Sequence, residues 1–127
     1  MKEIMAIIRM NMINKTKDAL LKEGFPSFYC RKVMGRGKRK VDFSIFDNSL
    51  NIEELASSSL ASEIVETQRL LPKRMISLIV NDDDAEKVAK IIIDTNITGN
   101  PGDGKIFVVD IPETIRIRTG EVNELAI

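Results

Sequence analysis

The sequence has no histidine and a single cysteine, Cys30. These scarcities remove the usual zinc and haem ligand sets and any disulfide within the chain, so a reducing cytoplasm is the expected compartment. Aromatic side chains make up only 5% of the residues, and 19 Lys and Arg balance 19 Asp and Glu. A formal net charge of zero draws the chain toward neither nucleic acid nor anionic lipid, so any basic site must be local. Long hydrophobic runs are also missing. The opening MKEIMAIIRMNMI is broken by Lys2, Glu3 and Arg9, which argues against a signal peptide or a membrane span. There is no evident paired-carboxylate or activated-nucleophile arrangement either, so no enzyme is expected.

What is present fits one domain covering residues 1–127, long enough to bury a real core but too short for two. Ile4, Ala6, Ile7 and Ile8 predict a largely buried first strand from Lys2 to Met10. A turn follows, Asn14 is placed to cap a short one-faced helix around Ala19 and Leu20, and Gly24 with Pro26 stops it. Ser27 to Met34 predicts a second strand, ended by Gly35 and Gly37. Residues 36–70 then lose the regular pattern and suggest an extended loop. Arg74 to Val80 predicts a third strand. Ala85, Val88, Ala89, Ile92 and Ile93 predict a second helix behind the acidic start Asn81 to Asp83, and Lys105 to Ile111 a last strand. The order βαββαβ is that of the ferredoxin-like α+β sandwich. Apolar residues on both faces of such a sheet would leave one face uncovered in a single copy, so self-association is expected.

Three segments suit anions. TGNPGDGKIFVVDI, Thr98 to Ile111, matches the glycine and lysine spacing of a Walker A loop but carries Ile106 where a magnesium-holding Ser or Thr belongs, and it leads into a strand instead of a helix. Its glycines still allow main-chain N–H groups to approach an anion, with the Lys105 charge beside them; the same residues also suit a plain Gly-Asp-Gly turn. In IRIRTGE, Ile115 to Glu121, an extended chain would point Arg116 and Arg118 the same way as an anion clamp, or would simply be an exposed edge strand. RKVMGRGKRK, Arg31 to Lys40, is a basic, glycine-bearing loop that on its own could be merely solvated. Together the three favour a polyphosphate ligand.

These stretches resemble a known family. TGNPGDGKIFVVDI followed by RIRTGEVNELAI resembles the C-terminal signature of the PII signal-transduction proteins, and MKEIMAIIRMNMINKTKDALLKEGF resembles their opening strand and helix. The resemblance implies a ferredoxin-like trimer with a long T-loop, about residues 36–70, between strands 2 and 3. It also implies ATP or ADP in clefts between subunits, room for Mg2+ alongside ATP, and 2-oxoglutarate as second effector. By position it assigns nucleotide contacts to Gly102, Asp103, Gly104 and Lys105, to Arg116 and Arg118 across the subunit boundary, to Gly35, Arg36 and Gly37 at the loop root, and to Tyr29. It points 2-oxoglutarate toward Gly37, Lys38, Arg39 and Lys73.

The chain also departs from the family pattern. Tyr29 is its only tyrosine and precedes the loop, so uridylylation is not expected, and the family's loop-root glutamine has no match. Phe43, Ile45, Phe46, Leu50 and Leu55 lie in the long loop and could bury on a partner. Such a loop is similar to that of the nitrogenase-associated branch, in particular the longer-looped second member of its pair, which implies binding to a nitrogenase component and inhibition relieved by 2-oxoglutarate with ATP. The expected assembly is a homotrimer or a mixed assembly with a related chain, without nucleic acid. The alternative is a ferredoxin-like RNA-binding module, against which stand the few aromatics and the balanced charge.

Overall fold

Lys2–Arg9 is apolar from Ile4 to Ile8, and the period-two geometry of an extended chain turns Ile4, Ala6 and Ile8 to the same, buried side. The computed structural model describes residues 1–38 and 69–127. Its elements are β1 (Lys2–Arg9), α1 (Ile13–Lys22), β2 (Tyr29–Gly35), β3 (Leu71–Val80), α2 (Asp82–Asn96) and β4 (Lys105–Asp110). Two units divide the chain, one of Met1–Val33 with Pro72–Ile127 and the other of Met34–Leu71.

The strands form a four-stranded sheet in the order β2-β3-β1-β4. β1 lies in the middle, antiparallel to β3 and to β4, with Ala6 opposite Ile76 and Ile106. This is the ferredoxin-like arrangement expected from the sequence. On one face Ile4, Ala6 and Ile8 of β1 and Ile76, Leu78 and Val80 of β3 join Leu20 of α1 and Val88 and Ile92 of α2 in a single core. The other face carries Met5, Ile7, Met75 and Ile79, with Phe107 48% and Val109 39% exposed. Among the described residues, this apolar sheet face is therefore left uncovered by the two helices.

The helices touch through one buried polar contact. Thr16 of α1 is fully buried, and Asn96 Nδ2 of α2 donates to Thr16 Oγ1 at 3.0 Å and to Ile92 O at 2.9 Å. α2 opens on three acidic residues, Asp82, Asp83 and Asp84, which suit the positive end of the helix dipole.

Several boundaries differ from the sequence reading. α1 begins at Ile13 with Met12 as its N-cap and no side-chain cap bond, so Asn14 lies inside the first turn and caps nothing. A 3-10 turn over Met10–Met12 delivers the chain into the helix early. Asn81 is the N-cap of α2 but makes no side-chain cap bond; its carbonyl accepts from the Asp84 N–H at 3.0 Å instead. β2 starts at Tyr29, not Ser27, and β3 begins three residues before Arg74 at Leu71. Among the described residues no helix is long and apolar enough to cross a membrane.

Candidate functional site

The chain between α2 and β4 is folded around one carboxylate. Asp103 Oδ2 accepts the N–H groups of Thr98 at 2.8 Å and Gly99 at 3.0 Å, and Oδ1 accepts the Thr98 hydroxyl and Arg9 Nη1, the latter at 2.7 Å. The Thr98 hydroxyl and N–H, then the Arg9 guanidinium, hold the Asp103 carboxyl well below the usual carboxylate range. Asp103 thus stays charged and spends its acceptors on the loop itself. Its effect on any ligand runs through the shape it imposes.

Two cations close over the loop backbone. Arg9 ends β1 and Lys73 stands opposite it in the β1–β3 register. Arg9 Nη2 donates to Pro101 O at 3.2 Å and Lys73 Nζ to Gly102 O at 3.0 Å. Partial burial, then the neighbouring Arg9 charge, lower the Lys73 pKa, while Asp103 acts against them. An anion arriving here would offset the repulsion between the two cations and favour the charged form of Lys73. Lys73 keeps two ammonium protons beyond its bond to Gly102, and the guanidinium of Arg9 likewise has donors to spare.

The two glycines beside Asp103 are needed for different reasons. Gly102 has φ +100, and a Cβ there would come within 3.3 Å of Arg9 Nη2 and 3.6 Å of Lys73 Nζ, so this position faces the cations. Gly104 has φ +114, and a Cβ would sit 1.9 Å from the Ile7 carbonyl oxygen. That glycine lets the loop join β4 against β1, where Ile7 pairs with Lys105. Lys105 then opens β4 with its side chain exposed. The loop does lead into a strand, as the sequence indicates.

Below the loop, on the helix side, lies a cavity of about 320 Å³ walled by Ile7, Ile8, Ile92, Ile93, Ile97 and Ile106 and floored by Asp103, Gly104 and Lys105. A second hollow, on the open sheet face, is lined by Tyr29, Cys30 and Arg31 with Glu3, Met5, Met75 and Ser77. Ser77 Oγ donates to Glu3 Oε1 at 2.7 Å, and the Tyr29 ring is 75% exposed.

The arginine segment is not the extended clamp that alternation suggests. Residues 117–119 turn, Ile115 bridges Val122, and the Arg116 N–H donates to Glu121 O at 2.8 Å while the Gly120 N–H donates to Arg116 O at 2.7 Å. The Arg116 guanidinium pairs with the Glu121 carboxylate. Arg116 and Arg118 therefore sit on a braced hairpin, with Arg118 exposed. The Thr-Gly pair at 119–120 was the signal for a turn, and isoleucine–arginine alternation masked it.

Of the expected site residues, the structure gathers Gly102, Asp103, Gly104 and Lys73 about one loop and adds Arg9, which sequence reasoning passed over, with Thr98 as its brace. Tyr29 opens β2, away in sequence from that loop. Gly35 to Lys38 belong to the second unit, where Gly35 ends β2 and Arg36, Gly37 and Lys38 follow exposed. Arg39, Phe43, Ile45, Phe46, Leu50 and Leu55 lie outside the described residues.

Comparison with known proteins gives a consistent result. The family model of the nitrogen regulatory protein P-II matches residues 1–121. The chain is 46% identical, over all of its length and 99% of the relative's, to the nitrogen fixation nifHD region GlnB-like protein 2 of Methanobacterium ivanovii. It is 42% identical over the same shares to the nifHD1 region GlnB-like protein 2 of Methanosarcina barkeri. Against the nitrogen regulatory protein P-II of Porphyra purpurea the identity is 37%, with both chains fully covered.

Proposed function

Because the chain belongs to the nitrogen regulatory P-II family, we propose that its 98–105 loop holds the phosphates of ATP or ADP and that the protein is a signal carrier, not an enzyme. The observation that supports this most is the pair of cations, Arg9 and Lys73, closed over the loop backbone at Gly102, where a Cβ would lie 3.3 Å from Arg9 Nη2 and 3.6 Å from Lys73 Nζ. Main-chain N–H groups freed by glycine, with point charges beside them, suit a polyphosphate better than a single carboxylate. In this reading Lys105 adds a third charge. Arg116 and Arg118 come from a neighbouring copy, and Gly35, Arg36, Gly37 and Tyr29 complete the nucleotide contacts. The uncovered apolar sheet face supplies the drive for assembly, as a homotrimer or with a related chain.

The second effector is 2-oxoglutarate, with Lys73 as one carboxylate partner. Gly37, Lys38 and Arg39 complete its surroundings, and Mg2+ accompanies ATP where the nucleotide brings it. Effectors act by binding two states of the 36–70 loop with different affinity, and a tenfold change in docking takes about 1.4 kcal/mol of coupling. The names of the methanogen relatives, tied to a nitrogen fixation region, favour a nitrogenase component as the docking target and a cytoplasmic setting. Phe43, Ile45, Phe46, Leu50 and Leu55 are the anchoring side chains.

The test is capture of nitrogenase components from nitrogen-fixing cells on the tagged full-length protein, with and without 2-oxoglutarate plus ATP. Retention that falls when the effectors are added, and that disappears on deleting residues 43–60, is expected. Equal retention in all conditions would refute effector control. Retention of RNA, salt-sensitive and indifferent to ATP, would instead favour a nucleic-acid module.

A further inference from the structure

Asp103–Gly104 is the only place in the sequence where an aspartate or asparagine precedes a glycine. Such a pair is chemically labile. The main-chain nitrogen after an aspartate can attack the side-chain carboxyl carbon, and a glycine, having no Cβ, leaves that nitrogen unhindered. A five-membered succinimide closes as the carboxyl hydroxyl departs in water with the proton of the attacking N–H. Hydrolysis returns one water and opens either carbonyl, giving back aspartate or giving isoaspartate, whose main chain runs through Cβ. The net change is an isomerisation, with water the sole co-reactant.

The fold engages this carboxyl group through both oxygens. Three of its donors, the N–H and hydroxyl of Thr98 and the N–H of Gly99, lie five and four residues before it, and the fourth is the Arg9 guanidinium at the end of β1. They hold the carboxyl group toward the start of the loop, whereas ring closure requires Cγ at bonding distance from the Gly104 nitrogen in the following peptide. The reactive geometry is reached only when these bonds open. The same donors keep the carboxyl charged, and the charged form has no hydroxyl to lose as water.

The loop has no slack for the product. Isoaspartate adds a methylene to the main chain between Gly102 and Gly104 and shortens the branch that carries the carboxylate. Gly104 already stands so close to β1 that a Cβ would lie 1.9 Å from the Ile7 carbonyl oxygen, and Lys105 is paired with Ile7. A longer chain displaces either that junction or the bonds to Thr98 and Gly99.

We propose that Asp103 is a site of isoaspartate formation gated by the clasp of Thr98, Gly99 and Arg9. Closed, the clasp protects the Asp103–Gly104 linkage; open, it exposes the linkage to conversion, after which the loop no longer closes as before. The inference does not depend on what the loop binds.

The experiment follows isoaspartate at position 103 in the full-length chain without nucleotide, by peptide mapping with fragmentation that separates the two isomers. Samples are held for weeks at neutral pH and physiological temperature. A synthetic peptide of residues 96–108 supplies the unprotected rate. The wild type should convert more slowly than the peptide by a factor of about ten or more. Thr98→Val, which keeps the N–H and loses the hydroxyl, and Arg9→Ala should each speed conversion about tenfold, the worth of one charge-assisted hydrogen bond. Val80→Ala, a core substitution at the far end of β3 from Lys73, lowers global stability with the clasp intact and should convert at the wild-type rate. A peptide that does not convert would overturn the site. Wild-type protein converting as fast as the peptide, or clasp variants converting as slowly as the wild type, would overturn the gate. Equal acceleration in Val80→Ala would overturn it as well, since global unfolding would then control the linkage.

Discussion

Gly104 and Asp103 show how much of the loop is decided by single residues. A Cβ at Gly104 would lie 1.9 Å from the Ile7 carbonyl oxygen, and φ is +114, so neither the β1–β4 ladder nor the backbone can accommodate it. Gly104→Ala should destabilise the fold by about 3 kcal/mol or more, read as a shift in urea midpoint. Gly102→Ala meets only the ends of two flexible side chains, so it should cost less, about 1–2 kcal/mol, and act chiefly by displacing Arg9 and Lys73. Asp103 is held below the ordinary carboxylate pKa; its stabilisation is complete above the unfolded value of about 3.9 and is lost as pH falls below it. Asp103→Asn should therefore lower Tm at pH 7, and the gap to wild type should close as the solution is acidified toward and below pH 4. A gap that stays constant with pH would show that the charge is not what braces the loop. Lys73 gives the opposite signature. Its pKa is lowered, so affinity for an anion at this site should start to fall, as pH is raised, earlier than for an ordinary lysine.

Among elements, the contact between α1 and α2 carries a polar bond inside an apolar core. Thr16→Val removes the acceptor of Asn96 Nδ2 and leaves a buried donor with only Ile92 O, at a cost of about 1–2 kcal/mol by chemical denaturation. The elements were largely legible in the sequence. Ile4, Ala6 and Ile8 alternate, α2 carries Val88 and Ile92 at helical spacing, and Gly24 ends α1; all three patterns are local. What was not legible depends on pairing. Arg9 reads as the charged end of a strand until the register sets it beside Lys73. The role of Gly104 reads as turn freedom until β1 lies against it. The hairpin at 116–121 looked like a strand because alternating isoleucine and arginine satisfy period-two patterning, whereas a contact between Arg116 and Glu121 outweighs it. Asn14 failed as a cap for a similar reason: the 3-10 turn at Met10–Met12 starts the helix before it.

For the molecule as a whole, charge balance hides local concentration. A net charge of zero coexists with two cations brought to one loop from β1 and β3, which the fold, not the composition, arranges. The same fold leaves Phe107 and Val109 uncovered on the sheet, a surface that assembly would bury. We propose above that the 98–105 loop of this family member holds nucleotide phosphates. Calorimetric titration of ATP into the wild-type protein, Lys105→Ala and Arg118→Ala tests it most directly. Saturable binding to the wild type, weakened at least tenfold in each variant, or about 1.4 kcal/mol or more, is the expected result. Wild-type affinity in both variants, or no heat of binding to the wild type, would contradict it.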